Sequence, residues 1–132
     1  MDRIYQLSGH LSVYFKGMFS LSSSHHFFLY TTSTDMRSGF DSLCGIVQNK
    51  LGRNPSSGEV FVFLNRRRTH VKLLHWENGG FVMYYKRLEA GNFEIPQVEN
   101  GSLPWPQLVM MIEGIDLKNV KMRKRFFLKK SA

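Results

Sequence analysis

A chain of 132 residues, 42% hydrophobic and 14% aromatic, carries enough apolar side chains for a packed core and is short enough to form one domain. Its single cysteine, Cys44, excludes an internal disulfide framework and a cysteine-rich zinc site. Eighteen Lys and Arg against ten Asp and Glu leave a formal charge of +8, which draws polyanions such as nucleic acid or anionic lipid by electrostatics alone.

The strongly apolar runs reach about 5 residues, where a bilayer-spanning helix takes about 20. Lys16 breaks the N-terminal stretch, which does not read as a signal peptide. The expectation is a cytoplasmic protein with no membrane segment.

Residues 1–24 are polar with scattered aromatics, and they read as a leader of uncertain order with a short strand near Leu11-Val13-Phe15. Met18 is a possible alternative start, so residues 1–17 are expected to be dispensable. Phe27 to Tyr30 suits a strand. Ser33, Thr34 and Asp35 are good helix N-caps, and Met36, Phe40, Leu43, Val47 and Leu51 follow at steps of four, three, four and four. That spacing predicts an α-helix closed by Gly52. Asn54 to Gly58 is a turn cluster. Val60–Leu64, Val71–Trp76 and Phe81–Tyr85 then read as three strands of an antiparallel meander. Asn65 to Thr69 makes the first connection, and the Asn78-Gly79 dipeptide makes a tight second hairpin. A further short strand is expected near Phe93-Glu94-Ile95, and a second helix from Leu103 to Gly114. From Lys118 to Lys130 there are seven basic residues and no acidic ones.

The fold class is therefore α+β: a small antiparallel sheet of four to five strands with two helices, in the order β-α-β-β-β-(β)-α. The expected division is a leader over 1–24, one domain over 25–116 and a basic C-terminal tail over 117–132.

Catalytic and metal chemistry find little support in these residues. Asp35, Asp41, Glu59, Glu77, Glu89, Glu94, Glu113 and Asp116 are scattered, with Asp35 and Asp41 on different helical faces, so no carboxylate cluster for two-metal DNA cleavage is expected. His25 and His26 are neighbours and His70 and His75 lie five apart, spacings that send each pair to opposite faces of a strand. They read as structural histidines. Cys44 reads as a small buried residue rather than a nucleophile. No phosphate-cradling Gly-rich loop is present, and neither a cofactor nor a metal is expected.

The basic residues carry the functional reading. Arg66, Arg67 and Arg68 fall at a hairpin tip, where guanidinium groups reach phosphates without disturbing a core. Lys72, Lys86 and Arg87 lie on the adjoining strands. Lys72 and Lys86 share a face with Trp76 and Tyr84 in one possible register, and that face either binds nucleic acid or belongs to the core. Lys121, Arg123, Lys124 and Arg125 dominate a tail that reads as an arm ordering on DNA, as a solubilising tail, or as a membrane-surface segment through Phe126-Phe127-Leu128.

One further pattern runs through the middle of the chain. Thr34-Asp35-Met36-Arg37, Gly39-Phe40-Asp41 and Leu43 are followed by Asn54-Pro55, Gly58 and Phe61-Val62-Phe63. Arg66-Arg67-Arg68, Lys72, Leu74, Trp76 and Gly80 come next, then Lys86-Arg87-Leu88-Glu89, Gly91, Phe93, Pro96 and Glu113-Gly114-Ile115. This series resembles the TnpB-type accessory proteins of insertion-sequence family sixty-six, over about residues 25–116. The resemblance implies a non-catalytic accessory factor of transposition. Its expected partner is DNA, either the element ends or non-specific duplex, and the alternative is an adaptor docking on the transposase or another accessory subunit. The oligomeric state is left open.

Overall fold

The computed structural model describes residues 21–116 and 121–122. The strands are β1 (Phe27–Tyr30), β2 (Val60–Leu64), β3 (His70–Glu77), β4 (Gly80–Arg87) and β5 (Ser102–Leu103), with helices α1 (Phe40–Asn49) and α2 (Trp105–Glu113). These five strands form one sheet in the order β4-β3-β2-β1-β5. The class is α+β, and the strand and helix order is the one the sequence predicts. No described helix is long and apolar enough to cross a membrane.

The meander β2-β3-β4 is antiparallel throughout. At its second turn Asn78 and Gly79 both take positive φ, 50° and 83°, the left-handed pair that a two-residue hairpin needs. One pairing departs from the antiparallel expectation: β1 lies parallel to β2, Phe27 opposite Val60 and Tyr30 opposite Phe63. The sheet is mixed because α1 makes the crossover between them, as a parallel pair requires.

Both faces of the sheet are covered. Leu43 and Val47 of α1 pack on Phe61, Phe63 and Leu74. On the other face Leu108, Met111 and Ile112 of α2 join Phe27, Leu29, Val60, Val62, Leu64, Val71 and Leu73. Every residue of β2 is buried, because a strand between two helices has no solvent face. Helix α2 ends at Gly114, with φ 82° and its N–H donated to the Met110 carbonyl at 2.8 Å.

Several boundaries differ from the sequence reading. Helix α1 starts at Phe40, four residues beyond Met36, and its N-cap is Gly39. Asp35 caps nothing helical: its carboxylate accepts from the Arg37 backbone N–H at 2.8 Å, folding 35–37 into a turn. The expected strand at Phe93-Glu94-Ile95 does not form. Phe93 is instead a buried anchor whose N–H donates to the Arg68 carbonyl. The fifth strand is Ser102–Leu103, antiparallel to β1. A tight turn delivers it, with Asn100 at φ 54° and Gly101 at φ 78°.

At the edges of the domain, Leu21 is buried in the α2-side core although it falls within the sequence-defined leader. At the other edge a short ladder pairs β6 (Ile115–Asp116), the last residues of the expected domain, antiparallel to β7 (Lys121–Met122), so Lys121 of the expected tail lies in a strand. The readings on residues 1–20, including the strand near Leu11, and on 117–120 and 123–132, including Arg123, Lys124 and Arg125, lie outside the described residues.

Candidate nucleic-acid interface

The hairpin between β2 and β3 is built on Asn65. Its Oδ1 accepts the backbone N–H groups of Thr69 and His70 at 2.8 and 2.9 Å, and its Nδ2 donates to the Thr69 hydroxyl at 3.0 Å. The Arg68 N–H closes the turn onto the Asn65 carbonyl at 3.1 Å. Arg68 itself sits at φ 58°, a strained position for a residue with a Cβ. Its carbonyl, bound by the Phe93 N–H at 2.6 Å, ties the tip to the core. Arg66, Arg67 and Arg68 are therefore exposed on a braced turn.

The tip faces an open cleft of about 490 Å³. Ser33 to Met36, leaving β1, form one side; Asn65, Arg66, Arg67 and His70, leaving β2 and entering β3, form the other. The cleft thus lies at the carboxyl ends of the two parallel strands, where loops diverge and leave a crevice. The Thr34 N–H donates to the Leu64 carbonyl at 2.8 Å and holds the two sides together. Thr34 is only 5% exposed, and its hydroxyl has no hydrogen-bond partner among the described residues.

Most of the other described cations are already engaged. Arg37 chelates Asp35, with Nη2 to Oδ2 at 2.7 Å, and this hydrogen bonding holds the Asp35 carboxyl down at about 2. Arg53 makes a bidentate pair with Glu59 at 3.1 and 3.0 Å and lies over the Phe28 ring at 3.6 Å. Arg87 is exposed and meets Glu89 at 2.8 Å. Lys72 is 6% exposed, and its ammonium donates to the carbonyls of Met36 and Ser38 at 2.8 Å each. Burial pushes its pKa below the ordinary value. A lysine so placed braces the turn before α1, with two of its three N–H donors committed to backbone carbonyls. Lys86 reaches the Ile112 carbonyl of α2 at 3.4 Å, from the opposite face of the sheet. Among the described residues, none of the three tip arginines has an ion-pair or side-chain hydrogen-bond partner.

The register separates the aromatic and basic groups that the sequence reading placed together. Lys72 pairs with Tyr85, and Leu73 with Tyr84. Lys72 and Trp76 therefore face α1, whereas Tyr84 and Lys86 face α2. Tyr84 is core, its pKa pushed up to about 12 by burial and then by Glu113. Trp76 is half-buried against Phe81 with ring centroids 4.9 Å apart, at the far end of β3 and about 20 Å from the tip by strand rise. Tyr85, an exposed aromatic on β4 opposite Lys72, is singled out by no sequence period. His70 and Asn65 were also missed. An Asn opening a five-residue connection was the available signal for the latter.

Of the motif residues, Asp35, Met36 and Arg37 form the turn beside the cleft, Gly39 caps α1, and Phe40 and Asp41 begin it. Among the described residues no group of three or more His, Cys, Asp or Glu side chains is placed to hold a metal ion. His25 and His75 instead meet edge to face at 4.9 Å.

Two uncharacterized proteins of Sinorhizobium fredii (strain NBRC 101917 / NGR234) are similar to this chain. One, y4hO, is 37% identical over 91 residues, covering 67% of this chain and 79% of its own. The other, y4jC, is 30% identical over 93 residues, covering 69% and 80%. No solved structure matches. The profile of the IS66 Orf2-like proteins matches residues 25–122, which takes in the braced hairpin, the cleft and both helices. The chain belongs to the IS66 Orf2-like family, and its setting is that of an accessory protein in insertion-sequence transposition.

Proposed function

We propose that this protein assists transposition by holding DNA through backbone phosphates, with Arg66, Arg67 and Arg68 as its principal contacts. The observation that carries the reading is the sorting of the cations. Arg37, Arg53, Lys72 and Arg87 are committed to internal partners, whereas three adjacent guanidinium groups stand exposed and unpaired among the described residues on a rigid turn. A guanidinium fork matches a phosphate, and its binding is weakly sensitive to base sequence. Lys121, Arg123, Lys124 and Arg125 add to this charge in the sequence, next to the domain. The chain acts without catalysis in this reading, as an accessory factor rather than the strand-transferring enzyme.

The test is the salt dependence of duplex binding by the full chain, measured by fluorescence anisotropy. For duplex DNA the slope of log affinity against log salt is about −0.9 per phosphate neutralised. Changing Arg66, Arg67 and Arg68 together to alanine is expected to flatten that slope by up to about 3 units. The loss should be similar on element ends and unrelated duplex. An unchanged slope in a normally folded variant removes the tip from the interface and favours docking on a protein partner, read next by pull-down with the transposase.

A further inference from the structure

We infer that the surface beside the arginine tip is a stacking shelf for unpaired nucleotides, centred on Tyr85. The inference rests on the phosphate reading above and identifies what the site would hold beyond the phosphate. Among the described residues two large apolar side chains are exposed, Phe40 at 45% and Tyr85 at 51%. Both belong to one end of the α1 face. Tyr85 sits opposite Lys72 on the neighbouring strand, and the Lys72 ammonium lies 4.8 Å from its ring centroid. The same ammonium grips the carbonyls of Met36 and Ser38, which lead directly into Phe40. The Tyr85 ring also lies 5.9 Å from the His70 ring, tilted by 38°. His70 lines the cleft with Arg66 and Arg67. A phenol ring, an imidazole ring and exposed guanidinium groups therefore follow one another along a single edge.

This combination suits a single strand better than a duplex. Bases in a duplex are stacked on one another and cannot present a face to a protein ring. An unpaired base can, and each such stack adds affinity with little regard to sequence. The cation beside the ring is set in advance: Lys72 is buried and bound at both carbonyls, so its own ordering costs binding little. The phosphate next to a base stacked on Tyr85 would fall toward the tip. Nothing on the shelf selects deoxyribose over ribose, so the shared chemistry is an unpaired nucleotide of either kind.

The experiment compares the full chain with Tyr85→Ala, Tyr85→Phe and the triple Arg66, Arg67, Arg68→Ala variant. Each is titrated against labelled oligothymidylate, oligouridylate and a duplex of equal length at one salt concentration. Tyr85→Ala is expected to weaken binding to both single strands about tenfold, with duplex binding unchanged as its folding control, and Tyr85→Phe is expected to restore it. Loss on one single strand alone would assign the shelf to that nucleic acid. A separate measurement uses the unaltered chain: ultraviolet crosslinking to an iodouracil-containing single strand, mapped by mass spectrometry, should label Tyr85 or His70. Single-strand binding unaffected by Tyr85→Ala, while the arginine variant still loses duplex affinity, overturns the shelf and leaves the phosphate reading standing. Crosslinks confined to other residues overturn it as well. An arginine variant with unchanged duplex affinity overturns the phosphate reading, and the shelf proposal falls with it.

Discussion

Two side chains show how the site is held at the level of single residues. Asn65 satisfies two backbone N–H groups and a hydroxyl inside the hairpin connection. Asn65→Ala leaves those half-buried donors without their acceptor and is expected to destabilise the fold by about 1–3 kcal/mol in a urea melt. Lys72 looks like a phosphate ligand in the sequence and is a structural brace in the fold. Lys72→Met keeps much of the stem and abandons the Met36 and Ser38 carbonyls. It is expected to lower stability by about 1–3 kcal/mol while leaving the duplex salt slope unchanged. A flatter slope in a folded Lys72→Met variant would show that the ammonium meets phosphate after all.

Among the elements, the turns decide which strands can pair. Gly101 has φ 78°, and a Cβ built on it would lie 3.2 Å from the Leu29 carbonyl, which is backbone and cannot step aside. Gly101→Ala is therefore expected to cost about 1–2 kcal/mol and to loosen β5 from β1, read as faster hydrogen exchange at the Leu29 N–H. Strand β3 carries a different liability. His75 is buried against His25, and burial first, then the His25 charge, lowers its pKa from 6.5. The folded chain thus binds this proton less readily than the unfolded chain. Stability is complete above pH 6.5 and declines as the pH falls through 6.5 toward the folded pKa, below which no further loss accrues. Asp35 and Glu59 are held by arginines below their ordinary 3.8 and 4.5, so their contribution fades at lower pH and is separable. Denaturant midpoints measured from pH 7.5 to 5 should fall for the native chain and fall less for His75→Gln.

At the scale of the whole molecule, two helices sandwich a short mixed sheet, and the cleft opens where α1 fails to cover it. The core reaches further toward the N-terminus than composition suggests. Leu21 is 2% exposed within the α2-side core, so Leu21→Ala is expected to cost about 2–4 kcal/mol. A chain beginning at Met18 retains Leu21 and is expected to match the full chain within about 1 kcal/mol. Denaturant melts of the two variants should differ accordingly. A deep loss for the Met18 start would give residues 1–17 a part in the fold. A charge of +8 would make any association with DNA salt-dependent, whatever its geometry. The tip substitutions, rather than the total charge, therefore test whether phosphates are met at the hairpin.

The sequence by itself determined the family, the α+β class, the element order and the Asn78-Gly79 hairpin, because each depends on local signals: hydrophobic period, turn dipeptides and motif spacing. It also located the arginine triplet on a connection, since three charged residues between two apolar runs have nowhere else to go. The same local chemistry was present and unread at Asn100-Gly101, whose positive φ values turn the chain into β5. Other features were not local. A period of two divides a strand into two faces without saying which face meets which helix or how neighbours are offset. Only the packed sheet could put Tyr85 beside Lys72 and send Tyr84 into the core. Nor could the Asp35 signal choose between a helix cap and a turn, because one carboxylate serves either. The tertiary structure decided it: Asp35 folds 35–37 into a turn, the Lys72 ammonium binds the Met36 and Ser38 carbonyls, and α1 begins at Phe40 after an extended Gly39.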